Sequence, residues 1–254
     1  MELKQNRIVA IDFTRGIAVT LMIIAHMGMF GIITANNVKN AKISKETAAI
    51  FDGIGTIAHT LFIILVGVNM TTSLNRVRAK HSEERAKREF IIKNIKRGAF
   101  IFLLGVLISS IVKIVFGEWL VFFGIFQFIA VAIVLAIPFT IYYNHITNIL
   151  AIILILVISI NSKNAVGGLG FLTGRVKYRF IDFFPIIPYF SYVLVGIMVG
   201  KFLEGVKIND MKINSKQVKE LVYTGQNSIQ IYFIHLIVIF AIMKAILRNK
   251  KIEV

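Results

Sequence analysis

The chain has no cysteine, so it offers neither disulfides nor thiolate chemistry, and redox usage says nothing about its compartment. It has little acid: 13 Asp and Glu against 29 Lys and Arg, a formal net charge of +16. Only 3 prolines and 1 tryptophan occur among 254 residues, and charged residues make up 17% of the chain. That is too little polar surface to cover a soluble domain of this size. What fills the space is apolar: 57% of residues are hydrophobic and the mean hydropathy is +0.78. The apolar residues come in long runs broken by basic loops, which is the pattern of a polytopic helical membrane protein. The basic excess flanks those runs, where anionic headgroups attract it, and no basic face is interleaved with exposed aromatics. Nucleic acid is therefore not an expected partner, whereas the lipid bilayer is.

Seven apolar segments are expected: Gly16–Thr34, Thr56–Leu74, Gly98–Val115, Trp119–Tyr142, Ile146–Ile160, Pro185–Leu203 and Gly225–Leu247. The fold class is all-α, a transmembrane bundle of about seven spans, or six if the short Ile146–Ile160 run is re-entrant. The first segment is too long for a signal-peptide core and lacks a small-residue cleavage site, so it reads as a retained anchor. Nine basic residues between Arg76 and Arg97 mark a cytoplasmic loop and place the N-terminus on the same side. Seven spans put 17 basic residues inside and 12 outside; six spans give 20 and 9. A cell (plasma) membrane is the expected location. No internal repeat of the kind that builds paired transporter halves is visible. Gly196 and Gly200 form a small-xxx-small face suited to close helix packing.

Ionisable groups at membrane depth are costly and point to function. Asp12, Arg15, Met22 and His26 fall within a third of one helix circumference, and His26 lies about 16 Å beyond Arg15. Ser228, Tyr232 and His235 share a face of the last helix, with Asn227 at its entry. His59 sits in the second helix, at a depth from which it can approach His26. These three histidines carry no metal-ligand spacing, so no metal is expected. His81 reads as a loop residue, and His145, beside Asn144 and Asn148, as part of a helix junction. Asp12 and Arg15 can be an i,i+3 pair that anchors the helix start. Gly16 beside them weakens a helix and invites close approach by a ligand or another helix.

In order along the chain, several stretches resemble one family. They are Arg7-x4-Asp12-x2-Arg15-Gly16-x5-Met22-x3-His26, then Leu61 to Gly67, then Phe123-Gly124-Ile125-Phe126-Gln127. Asp182-Phe-Phe-Pro185-Ile-Ile-Pro188-Tyr189 with Leu194-Val-Gly196 follows, and Asn227-Ser228 through Tyr232 to His235 closes the set. Together they resemble the heparan-alpha-glucosaminide N-acetyltransferase catalytic family in its prokaryotic branch, within the transmembrane acyltransferase superfamily. The Ile-, Lys- and Asn-rich composition is in keeping with a low-GC prokaryotic coding bias.

The resemblance implies one integral-membrane acyltransferase-like domain over 1–254. Such an enzyme passes an acetyl or other acyl group from cytoplasmic acyl-CoA, acetyl-CoA above all, to an extracytoplasmic sugar or small-molecule acceptor. His26 is expected as general base or acyl carrier, with His235, Tyr232 and His59 as further catalytic candidates. Arg7, Asp12, Arg15, Asn227 and Ser228 are expected to bind the acyl-CoA, and Asp182 and Tyr189 the acceptor. The heparan-acting eukaryotic branch has Asn where His26 stands and a key histidine in the following loop. Residues 34–52 contain no histidine, so heparan is not the expected acceptor. A small proton-coupled transporter and a non-catalytic membrane scaffold stay open as alternatives, and self-association into a homo-oligomer is left open too.

Overall fold

The computed structural model describes residues 9–39, 44–116, 121–162, 164, 166–176, 180, 182–204 and 215–247, without the side chains of 34–39, 116 and 247. Among them the protein is helical throughout, with one isolated β-bridge between Val121 and Asp182. Five helices are long and apolar enough to cross a membrane: α1 (Val9–Lys39), α2 (Lys45–Arg78), α3 (Glu83–Phe116), α7 (Ile186–Glu204) and α9 (Ser228–Leu247). Two shorter apolar helices, α4 (Ile125–Ile141) and α5 (His145–Asn161), have 17 residues each, about 25 Å of rise. Each of the seven expected apolar segments thus contains a helix. The protein is a polytopic helical membrane protein.

α1, α2 and α3 outrun their apolar runs, because the charged and polar residues beside those runs continue the helical backbone ladder. Two further boundaries differ from expectation. Among the described residues of the fourth segment, 121–124 are not helical and α4 starts at Ile125, because Val121 bridges to Asp182 and Phe123 takes a left-handed conformation, φ 52°. The last segment is interrupted at Asn227, which caps α8 (Lys216–Gln226) before α9 starts at Ser228. A short helix, α6 (Gly167–Thr173), was not foreseen. On α5 the large apolar side chains point outward: Ile146 is 68% exposed and Leu154 59%, while Asn148 is buried. An apolar outer face with a polar residue turned inward suits hydrocarbon, not water.

The chain forms two compact units, one of Met1–Phe62 with Ile208–Val254 and one of Ile63–Lys207. In the first, α1 packs on α8 and α9. Ala18, Val19, Met22, Ala25 and Phe30 form its buried stripe, and Leu236, Phe240 and Met243 that of α9. The backbones of α1 and α8 touch. A Cβ on Gly16 would collide with the Leu221 carbonyl, and one on Gly225 with the Asp12 carbonyl. Gly16 therefore admits a helix.

In the second unit the rest of α2 lies against α7 through Gly67, Gly196 and Gly200. A Cβ on these would meet the Val193 carbonyl, the Ile64 carbonyl and Thr71 Oγ1 respectively. The small-xxx-small face is a packing face. α3 and α4 are clasped by Gln127 Nε2, which donates to Ser109 Oγ at 2.9 Å, both buried. Ile187 leaves helical geometry (φ −102°, ψ 120°) ahead of Pro188, whose ring disfavours the α region for the residue before it. Asn144 caps α5 by accepting from the Thr147 N–H at 3.1 Å, and His145 Nδ1 lies 2.7 Å from the Tyr143 hydroxyl. His81 pairs with Glu89 at 2.8 Å and so is more than a solvated loop residue.

Candidate active site

Two helices that start 219 residues apart bring His26 and His235 together. His26 Nδ1 lies 2.9 Å from His235 Nε2, and the rings stack 16° from parallel with centroids 5.2 Å apart. Tyr232, one turn before His235, is buried and stands edge-on to both rings, at 5.9 Å from His26 and 4.9 Å from His235. Phe30 closes a further side, 5.8 Å from His26, and itself packs edge-on against Phe240. An aromatic wall thus surrounds a pair of imidazoles.

The hydrogen-bond directions follow from one backbone group. The Ile231 carbonyl, 3.3 Å from His235 Nδ1, can only accept, so His235 carries a proton on Nδ1. A neutral His235 then presents a lone pair at Nε2, which accepts from His26 Nδ1–H. Neutral His26 is left with its lone pair on Nε2. Among the described residues none hydrogen-bonds that nitrogen. An imidazole oriented by a second group, with its other nitrogen available, is the arrangement a general base requires.

At the start of α1, Arg15 Nη1 donates to Asp12 Oδ1 at 2.8 Å and to the Gly225 carbonyl at 3.3 Å. Asp12 is buried, so the pair is part of the α1–α8 contact as well as an i,i+3 bridge. Asn227 Nδ2 donates back to the Tyr223 carbonyl at 2.9 Å, and Ser228 is buried at the first position of α9. His59 is on a different helix from the pair. It stands three residues before Phe62, whose ring lies 6.5 Å from Tyr232. Arg7 lies outside the described residues. Phe30, the Ile231 carbonyl and the Gly225 carbonyl were missed by sequence reasoning. Backbone carbonyls carry no residue-type signal, and Phe30 reads as one more apolar residue, although its i+4 spacing from His26 was visible.

Asp182 and Tyr189 belong to the second unit. The Ile125 N–H donates to Asp182 Oδ2 at 3.3 Å, so the carboxyl caps α4, whose own N-cap, Gly124, has no side chain to do so. Phe122 N–H donates to the Asp182 carbonyl and Phe184 N–H to the Phe123 carbonyl, tying the two loops together. A Cβ on Gly124 would run into the Asp182 carboxylate, which accounts for glycine at 124. Tyr189 packs among Phe128, Phe184 and Tyr192.

Desolvation pushes the Asp182 carboxyl up to about 6 from 3.8, against the opposing pull of the Ile125 N–H. The protonated form is thus favoured by folding. Its stabilisation is complete below about pH 4 and lost as pH rises through about 6. Asp182→Asn is expected to gain in melting temperature relative to the wild type between pH 4 and pH 7, with the acceptor KM unchanged. A raised KM with no pH-dependent stability difference would mark Asp182 as an acceptor ligand instead.

Fold and site together define a polytopic helical membrane protein that carries a hydrogen-bonded histidine pair in its first unit. The family model described as "Heparan-alpha-glucosaminide N-acetyltransferase, catalytic" matches residues 7–237. The chain belongs to this family, and with it to the membrane acetyltransferases. No curated protein and no solved structure matches it.

Proposed function

We propose that the protein moves an acetyl group from cytoplasmic acetyl-CoA to an amine or hydroxyl of a sugar or small molecule on the other face of a cell membrane. In this reading the N-terminus and the basic Arg76–Arg97 stretch lie on the cytoplasmic side. The observation that carries the mechanism is the 2.9 Å contact between His26 and His235. His26 Nε2 takes the acceptor's proton as the acceptor attacks the acetyl carbonyl, and returns it to the departing sulfur. The Ile231 carbonyl and His235 hold His26 in the tautomer that allows this, so His235 is a positioning residue. Tyr232 and Phe30 exclude water from the rings. Arg15 meets the phosphates of acetyl-CoA through charge-assisted hydrogen bonds, with Asp12 aiming its guanidinium.

The test is release of CoA thiol by the purified protein, with acetyl-CoA and a panel of amino sugars. Acceptor-dependent release is expected. Arg15→Ala should raise the acetyl-CoA KM about tenfold or more, the scale of one lost charge-assisted bond, with a smaller change in kcat. Absence of turnover with every acceptor, together with no acetyl-CoA binding, would overturn the proposal.

A further inference from the structure

The end of α2, the turn after it and the first turns of α3 carry nine Lys and Arg between Arg76 and Arg97. Two of them share one carboxylate. Arg78 makes a bidentate pair with Glu83 at 2.8 and 3.0 Å, and Lys87 reaches the same carboxylate at 3.5 Å. Arg85, Arg88 and Lys96 have no carboxylate partner among the described residues. Lys93 donates to Ser73 Oγ at 3.2 Å, and Arg76, Arg97 and Lys80 add like charge around it. Arg85, Arg88, Lys93 and Lys96 line an open pocket of about 840 Å³ with Ile92. Glu84 and Glu89 also line it, and Glu89 is engaged by His81. The pocket keeps a cationic excess.

The helix below it has a different character on the same side. Arg85, Arg88, Ile92 and Lys96 recur at three- and four-residue spacing, and that register runs on through Ala99, Leu103, Val106 and Leu107. These apolar residues are turned outward, Leu103 66% exposed, Leu107 47% and Val106 42%. From Lys96 to Leu107 the helix rises about 16 Å, close to half the roughly 30 Å hydrocarbon core. A cationic head region followed by one leaflet's depth of exposed apolar surface has the outline of an anionic amphiphile. A free phosphate would use only the first part.

We infer that the pocket lined by Arg85, Arg88, Lys93 and Lys96 holds the phosphate of an anionic phospholipid, whose acyl chains lie along Leu103, Val106 and Leu107. The site shares no residue with the histidine pair and does not depend on the proposed acetyl transfer.

The experiment uses the full chain in neutral detergent, titrated with dioleoyl-phosphatidylglycerol or dioleoyl-phosphatidylcholine, with bound lipid counted by native mass spectrometry. Phosphatidylglycerol is expected to bind at least about tenfold more tightly, and glycerol 3-phosphate at the same concentration should not displace it. Removing two cations with Arg85→Gln and Arg88→Gln should weaken phosphatidylglycerol about thirtyfold. The charge-matched pair Lys216→Gln and Lys219→Gln on α8 should leave it unchanged, and Arg85→Lys with Arg88→Lys should retain binding. Raised salt should weaken the wild-type interaction, a readout that needs no variant. Equal affinity for the two lipids, equal losses in the two Gln pairs, or insensitivity to salt overturns the inference. Full displacement by glycerol 3-phosphate also overturns it, making the pocket a site for soluble phosphates.

Discussion

Replacing His26 with alanine is expected to lower kcat for acetyl transfer by about 10²–10⁴-fold, the range a positioned general base supplies. The acetyl-CoA KM should stay near the wild-type value, because Arg15, about 16 Å along α1, carries the donor contact in this mechanism. Steady-state kinetics with saturating acceptor check both expectations. A folded His26→Ala protein with unchanged kcat would exclude His26 as the base. The alternative, in which His26 carries the acetyl group covalently, has a separate signature. Labelled acetyl-CoA without acceptor would then leave label on the wild-type protein and none on His26→Ala. A base leaves neither protein labelled.

His235 divides the same question more finely. His235→Ala removes the group that accepts from His26 Nδ1, freeing that ring to adopt the other tautomer. A loss of about 10²-fold is expected, of the order produced by misplacing a catalytic group by 1 Å. The pH–rate profile should change shape as well. His235→Gln offers an amide oxygen to the same N–H and should recover part of the rate. A purely structural role would lower protein yield without altering the pH profile, and the Gln variant would then bring no recovery in kcat.

The second large effect concerns folding. Gly16→Leu places a side chain against the Leu221 carbonyl, and a backbone atom cannot rotate out of the way as a side chain does. Overpacking of this kind costs about 3 kcal/mol or more, lowering the melting temperature by roughly 6–12 °C in a domain of this size. Gly53→Leu is the control, since a Cβ at Gly53 meets nothing within 4 Å and leucine is the better helix former. Thermal unfolding in detergent should separate the two variants clearly. Equal melting temperatures would mean that the α1–α8 contact contributes little.

The readable part of this protein follows from local patterns. A span declares itself because twenty neighbouring residues must all suit hydrocarbon, so the helices were visible wherever the apolar runs were. Asp12 and Arg15 were readable as a pair because i,i+3 neighbours meet on any helix. Ser228, Tyr232 and His235 were readable as one face for the same reason. Boundaries were less visible where a tertiary contact sets them. The Trp119–Tyr142 run offers no local reason for helix to begin at Ile125; the reason is Asp182, 57 residues away.

Sequence by itself determined the class: an all-helical membrane protein, its seven apolar helices, and the ordered motifs that place it among the acetyltransferases. Tertiary structure alone decided which histidine meets which. His26 had two partners within reach on sequence grounds, and the fold joins it to His235. It also decided that Gly16 admits a helix and that Asp182 caps one. The division has a physical cause. Hydropathy and helical period are properties of neighbouring residues, and they state which face is polar. Which polar face it meets depends on how closely two backbones can approach, and here Gly16 and Gly225 let α1 and α8 come into contact in the unit that holds the histidine pair.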